Sequence, residues 1–127
     1  ELDKFTLSEF NIPYGYSPIV LTKKENISKH REVYSKFIKA TQKGFLFTKN
    51  NLSESTAILK RYVTEYDLKN IDLEKAIFFS MPYFGDESNC GIMEQERVSR
   101  FTKWLVERGL EEKEILNQSL FTNELFK

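Results

Sequence analysis

Residues Glu9 to Thr22, EFNIPYGYSPIVLT, constrain this chain more than any other stretch. Pro13 and Pro18 each lock their own φ and push the residues before them, Ile12 and Ser17, toward extended backbone. Gly15, between Tyr14 and Tyr16, is expected to supply a positive φ that a residue with a side chain adopts only at a cost. Together they predict a stiff, kinked segment that presents two tyrosines. The run Ile19-Val20-Leu21-Thr22 follows directly and reads as a strand buried on both faces. A polar, aromatic, restricted loop running into a buried strand is a natural place for a ligand to meet backbone.

The side chains in this stretch include a carboxylate (Glu9), an amide (Asn11), two phenols (Tyr14, Tyr16) and a hydroxyl (Ser17). A tyrosine offers a flat apolar face and one hydrogen-bonding group, which suits a small heteroaromatic ring. Glu9 could accept paired N–H donors from an aminopyrimidine edge, with charge assistance if the ring nitrogen is protonated. Tyrosines beside glycine and proline also serve simply as loop packing, and spacing does not separate the two roles.

The chain's 127 residues are enough for one domain and one core. Lys plus Arg and Asp plus Glu number 19 each, so the net charge is zero. That leaves no basic field to gather a phosphate backbone, and no nucleic-acid partner is expected. Cys90 is the single cysteine and His30 the single histidine. No intrachain disulfide and no Cys- or His-based metal set can be built, and no cofactor or catalytic residue is assigned. Cys90 has no neighbour in sequence to lower its pKa and reads as inert. No apolar run approaches a membrane span. The chain opens on Glu1 inside what reads as an element, with no signal peptide, so it is expected to be a piece of a longer protein.

Leu2 to Phe10 alternates loosely and suggests a short strand or extended lead-in; Lys23 to Asn26 then turns the chain. From Ser28 to about Thr48 the pattern is helical, with Val33, Phe37, Ala40, Thr41, Gly44, Phe45 and Thr48 on one side. Gly44 is read as a point of close packing, and His30 as solvated. Asn51 with Glu54 reads as a capping box opening a helix whose stripe is Ile58, Leu59, Tyr62, Val63 and Tyr66. Asp72 reads as a further N-cap, with a short helix that must stop before Pro82. Pro82 to Gly91 is a loop of turn formers. Glu94 to Arg108 is helical, with Val98, Phe101, Trp104 and Leu105 on one side, and Gly109-Leu110 is a C-cap signal. Leu120, Phe121, Leu125 and Phe126 are expected to dock. The sum is a mainly helical chain with about two strands, compatible with part of an α/β protein.

The ordered set GYSPIVLTKKE, YSKFIKATQKGFLFTKNN, NLSESTAILKRYV, MPYFGD, RFTKWLVERGL and LFTNELF spans nearly the whole chain. It resembles the C-terminal half of the substrate-binding proteins of ABC importers for the pyrimidine precursor of thiamin. Their superfamily also holds sulfonate and nitrate receptors and the fungal pyrimidine-precursor synthase. The resemblance implies a partial α/β fold of the periplasmic-binding-protein type II, in which residues 1–127 are the C-terminal portion of two hinged lobes. The segment near 9–22 would be the crossing between lobes. It further implies a cleft-lining role for Glu9, Asn11, Tyr14, Tyr16 and Ser17, the acidic and aromatic members foremost, with non-covalent grip on the ligand. The partners implied are a small-molecule ligand and an ABC permease; the location implied is periplasmic or extracytoplasmic, as a lipoprotein.

The synthase branch carries a Cys-Cys-Cys-Phe-Cys motif in this segment, where the present chain has Pro13-Tyr14-Gly15-Tyr16-Ser17. A non-catalytic receptor is therefore preferred to a synthase of thiamin biosynthesis. A binding-protein fold recruited as a sensory module is the third reading. A half-protein of this kind should expose sheet edge and apolar surface, and self-association is expected. Light scattering at high concentration tests it: a clean monomer would contradict the expectation.

Overall fold

The computed structural model describes residues 5–126. Six α-helices run in order: α1 (Lys24–Lys29), α2 (Arg31–Asn50), α3 (Leu52–Leu59), α4 (Glu65–Asn70), α5 (Leu73–Ser80) and α6 (Gln95–Glu107). Short 3-10 turns at Leu7–Phe10, Met81–Tyr83, Lys113–Asn117 and Glu124–Phe126 complete the regular structure. No strand occurs among the described residues, which overturns the α/β expectation. Both supposed strands have a physical reason to be otherwise.

A strand exists through the ladder it makes with a neighbour, and no described segment pairs with Ile19–Thr22. That run is irregular, with Val20 68% and Leu21 81% exposed rather than buried. In the lead-in, Leu2 to Lys4 lie outside the described residues. Leu7–Phe10 is a 3-10 turn because Thr6 and Glu9 form a capping box: the Glu9 carboxylate accepts the Thr6 N–H, and the Thr6 side chain meets the backbone of Glu9. A local hydrogen-bonding signal outweighed a loose alternation.

The chain divides into two compact units. The first comprises residues 5–28 and 93–125 and is centred on α6. Val98, Phe101, Trp104 and Leu105 are half-buried on α6 and Thr102 is buried, so the expected stripe is in place. Gly109 ends α6 at φ 68°. Its N–H donates to the Val106 carbonyl at 3.0 Å, and Leu110 N–H donates to the Leu105 carbonyl at 2.9 Å. These are the paired bonds of a Schellman cap, as the Gly-Leu signal implied. The turn at Lys113–Asn117 packs on α6. Asn123 brackets Met93, accepting its N–H at 3.1 Å and donating to its carbonyl at 2.8 Å, and Leu125 is buried while Leu120 stays exposed.

The second unit comprises residues 29–92 with Phe126. Lys24–Lys29 is helical where a turn was expected, and His30 breaks the run at φ −124°, ψ 26°. The packed stripe of α2 is offset from the expected one. Tyr34, Ile38, Thr41, Gln42 and Leu46 are half-buried, whereas Val33 and Phe37 are exposed. α3 packs on α2 and α5. Asn51 precedes it, but its side-chain amide donates to the Phe47 carbonyl at 2.9 Å instead of capping α3. α3 also stops at Leu59 rather than running on to Tyr66, leaving Tyr62 and Tyr66 exposed. Thr64 gives the reason, since its hydroxyl accepts the Asp67 N–H and caps α4; threonine favours that competing bond over helix interior. Asp72 caps α5 through Lys75 N–H at 3.1 Å, as expected. α5 ends at Ser80, yet Met81 keeps helical dihedrals because Pro82 sits early in a 3-10 turn where its missing N–H is not needed.

The Pro82–Gly91 loop is tied to α2. Lys49 Nζ donates to the Gly85 carbonyl and Gln42 Nε2 to the Cys90 carbonyl, both at 2.7 Å. Within it, Asp86 accepts from the Ser88 amide and hydroxyl, and Asn89 accepts the Asp86 N–H.

Because a side chain at φ 68° is strained whatever the free space, Gly109→Ala is expected to destabilise the first unit by about 1 kcal/mol. Urea denaturation followed by Trp104 fluorescence reads this; an unmoved midpoint would refute it.

Candidate functional site

The first unit contains a hollow of about 660 Å³ between the 3-10 turn, the proline-tyrosine segment and α6. Its walls are Leu7, Ser8, Asn11, Ile12, Pro13 and Tyr14 on one side, and Arg100, Lys103, Trp104 and Glu107 on the other. The hollow is wide open to solvent, unlike the concave pockets that bury most of a ligand's surface.

Local chemistry shapes the first wall. Asn11 closes the 3-10 turn in the left-handed region (φ 52°), which asparagine tolerates better than most residues. Its N–H and that of Ile12 bond back to Ser8 and Leu7. Tyr14 is half exposed and meets Phe101 edge-on, with ring centroids 6.4 Å apart. The segment is then fixed to the start of α6. Arg97 Nε donates to the Tyr14 carbonyl at 3.3 Å, its guanidinium lies 4.3 Å over the Tyr16 ring, and the Tyr16 hydroxyl accepts the Glu94 N–H at 2.9 Å. Gly15 is buried, and a Cβ there would stand 3.1 Å from the Phe101 ring. Its glycine is required by close approach and not by the positive φ that the sequence suggested, since its φ is not positive.

Of the five residues singled out in the sequence, Asn11 and Tyr14 come together on the hollow. Glu9 lies on the same turn, where its carboxylate accepts the Thr6 N–H at 2.8 Å. That backbone bond, with the Thr6 side chain second, holds the Glu9 carboxyl below its ordinary pKa. Tyr16 braces α6 from outside the hollow, and Ser17 is exposed beyond it.

Four wall residues were missed. Arg100, Lys103, Trp104 and Glu107 stand at i, i+3, i+4 and i+7, one face of α6. That spacing was visible in RFTKWLVE, but attention to the apolar stripe concealed the mixed face beside it. Lys103 and Glu107 form an exposed ion pair at 3.8 Å, the kind that contributes little. Among the described residues Arg100 has no carboxylate partner. The indole Nε1 of Trp104 is buried without a hydrogen-bond partner, an arrangement that leaves its desolvation uncompensated. The wall therefore offers stacking faces, an amide and a guanidinium, while the buried Trp104 N–H is not presented to it.

A second hollow, of about 400 Å³, lies in the other unit and is lined chiefly by apolar groups of α2, α3 and α5 with Phe84. Gly44 borders it with open space where a Cβ would point, so it does not mark close packing. Cys90 is buried; burial, then the Asp86 charge, push its thiol pKa up against a smaller opposing effect of Lys49. It stays protonated and unreactive near neutral pH. Among the described residues no cluster of three or more His, Cys, Asp or Glu could hold a metal, and no helix is long and apolar enough to cross a membrane.

Residues 1–55 match the family model described as NMT1/THI5 like. The match supports that family, which covers both transport-binding proteins and synthases of the thiamin pyrimidine. It includes the first wall of the hollow and ends before α6. No curated protein and no solved structure matches the chain.

The Glu9 cap carries a pH dependence. Its folded-state pKa is lowered, so its contribution is complete above the ordinary glutamate value of about 4.3 and is lost as pH falls through the folded value. The Thr6 amide resonance should titrate with a midpoint below that ordinary value. A midpoint at or above it would show that the cap does not form.

Proposed function

We propose that this chain binds a small planar heteroaromatic molecule, a pyrimidine precursor of thiamin, as the solute-binding component of an ABC importer. The observation that carries the reading is the hollow itself, where the Tyr14 ring and the Asn11 amide line one wall and Trp104 lines the other. Aromatic faces grip a flat ring by stacking, and an amide supplies one donor and one acceptor to an aminopyrimidine edge. The family match over residues 1–55 supports the pyrimidine as the ligand class.

In this reading Asn11 and Tyr14 touch the ligand. Glu9 and Tyr16 hold the turn and the segment that present them, and Ser17 lies on the stretch that leads away. Proline, glycine and tyrosines, rather than cysteines, occupy residues 13–17, which favours a receptor over the synthase branch. The chain would serve as the C-terminal portion of a longer, two-lobed receptor, with residues 9–22 near the crossing. It would work outside the cytoplasm as part of a lipoprotein, delivering its ligand to a permease.

Isothermal titration calorimetry with a hydroxymethyl-aminopyrimidine tests the ligand class. Saturable binding is expected, and Tyr14→Ala should weaken it about tenfold, the loss of one aromatic contact of roughly 1.4 kcal/mol. Absence of binding by the unaltered chain would refute the reading.

A further inference from the structure

α2 carries a second stripe besides its packed one. Val33, Phe37, Ala40, Gly44 and Phe47 recur at alternating steps of four and three, the spacing of a seam that receives another helix. All five are exposed, Val33 at 64% and Phe37 at 54%. Gly44 sits within this seam with nothing within 4 Å of where a Cβ would point and with no positive φ. A glycine inside a helix lowers its propensity, and neither backbone geometry nor a neighbouring atom requires this one. The hollow of about 400 Å³ opens beside it, with Phe45, Phe47, Ile58 and Leu59 in its walls. Lys36, Lys39 and Lys43 flank the seam on the opposite side and are exposed. Lys36 pairs with the exposed Glu32, and neither Lys39 nor Lys43 has an ion pair among the described residues. Residues 23–49 hold eight Lys and Arg against two Asp and Glu, in a chain of zero net charge.

We infer that this face of α2 docks an amphipathic helix of a partner protein, acidic along the edge that meets Lys36, Lys39 and Lys43, with one large apolar side chain seated in the hollow at Gly44. Charge complementarity and the glycine together select that occupant. An anionic lipid surface would satisfy the lysines, but it gains nothing from a glycine in the contact face, whereas a helix uses it to approach closely. A second copy of α2 in antiparallel register would set Lys36 and Lys43 against each other, and a parallel one would set them against Thr41 and Thr48. Neither arrangement neutralises them.

The test presents the full chain with two designed amphipathic helical peptides, both with leucine at the a and d positions, one with glutamate and the other with lysine at e and g. Fluorescence anisotropy of the labelled peptides reads binding. The acidic peptide is expected to bind about tenfold more tightly, by a margin that shrinks with added salt because the lysines are exposed. Lys36→Gln, Lys39→Gln and Lys43→Gln together should erase that preference. Gly44→Leu places a side chain in open space and raises helix propensity, so circular dichroism should show α2 retained. Acidic-peptide affinity should nevertheless fall about tenfold, because the mouth of the hollow is taken. Equal affinity for the two peptides, a preference that survives the glutamine variant, or undiminished binding by Gly44→Leu would overturn the inference. Binding of neither peptide would also overturn it. In that case adsorption to phosphatidylglycerol vesicles would mark a lipid surface instead, and a sedimenting dimer dissolved by Phe37→Lys would mark a second copy. None of these outcomes bears on the ligand reading of the hollow beside α6, since no residue of α2 lines it.

Discussion

Arg97 joins the proline-tyrosine segment to α6 through two different contacts. Its guanidinium faces the Tyr16 ring at 4.3 Å while its Nε reaches the Tyr14 carbonyl. A cation over an aromatic face contributes about 0.5–1 kcal/mol at exposed sites, and the hydrogen bond fixes the backbone of Tyr14 itself, whose side chain lines the hollow. The Tyr16 hydroxyl adds the Glu94 N–H, one of the donors that a helix start leaves unsatisfied. With residues 14–16 held in this way, Tyr14 and Trp104 line the same hollow from its two sides. The hollow is thus a by-product of how a stiff loop is tied to one helix. Its polar members sit on elements secured by their own caps.

Those caps carry much of the local order. Few large apolar side chains are buried in the described residues: Ile77 and Leu125 are, while Phe5, Leu21, Tyr62, Tyr66 and Tyr83 are mostly exposed. The shape of each segment is therefore decided near its ends, at Thr6-Glu9, Thr64-Asp67, Asp72-Lys75, Asp86-Asn89 and Gly109. Each is made of bonds between groups three to five residues apart, so it forms without help from distant packing. Exposed apolar faces of this kind commonly mark surfaces that another body covers.

This explains which parts of the fold could be read from the residues. Gly109-Leu110 and Asp72 announced their caps because the bonding partners are local and residue-specific. The apolar stripe of α6 was legible since four residues recur at helical spacing. Ile19–Thr22 misled because β-branched composition records a preference for pleated, half-buried surroundings, and the described chain supplies none. The long stripe drawn through Tyr66 ended at Leu59, and Thr64 caps a separate helix after it. Of the residues that line the hollow, Asn11 and Tyr14 lie on the restricted loop that the sequence singled out. Arg100, Lys103 and Glu107 were not singled out, because charged residues on one helix face look solvated until an opposite wall is known, and Trp104 was read only as part of the apolar stripe.

Gly15 has no positive φ, and the Phe101 ring stands nearest to it, so what confines it is a neighbour's bulk rather than a left-handed backbone. Divergence at this pair is then ordered in time: a smaller side chain must appear at 101 before anything larger than glycine is tolerated at 15. Substitutions accepted in one succession would be rejected in the reverse. The two positions should drift among relatives as a couple, with total volume roughly conserved, although nearly ninety residues of chain separate them.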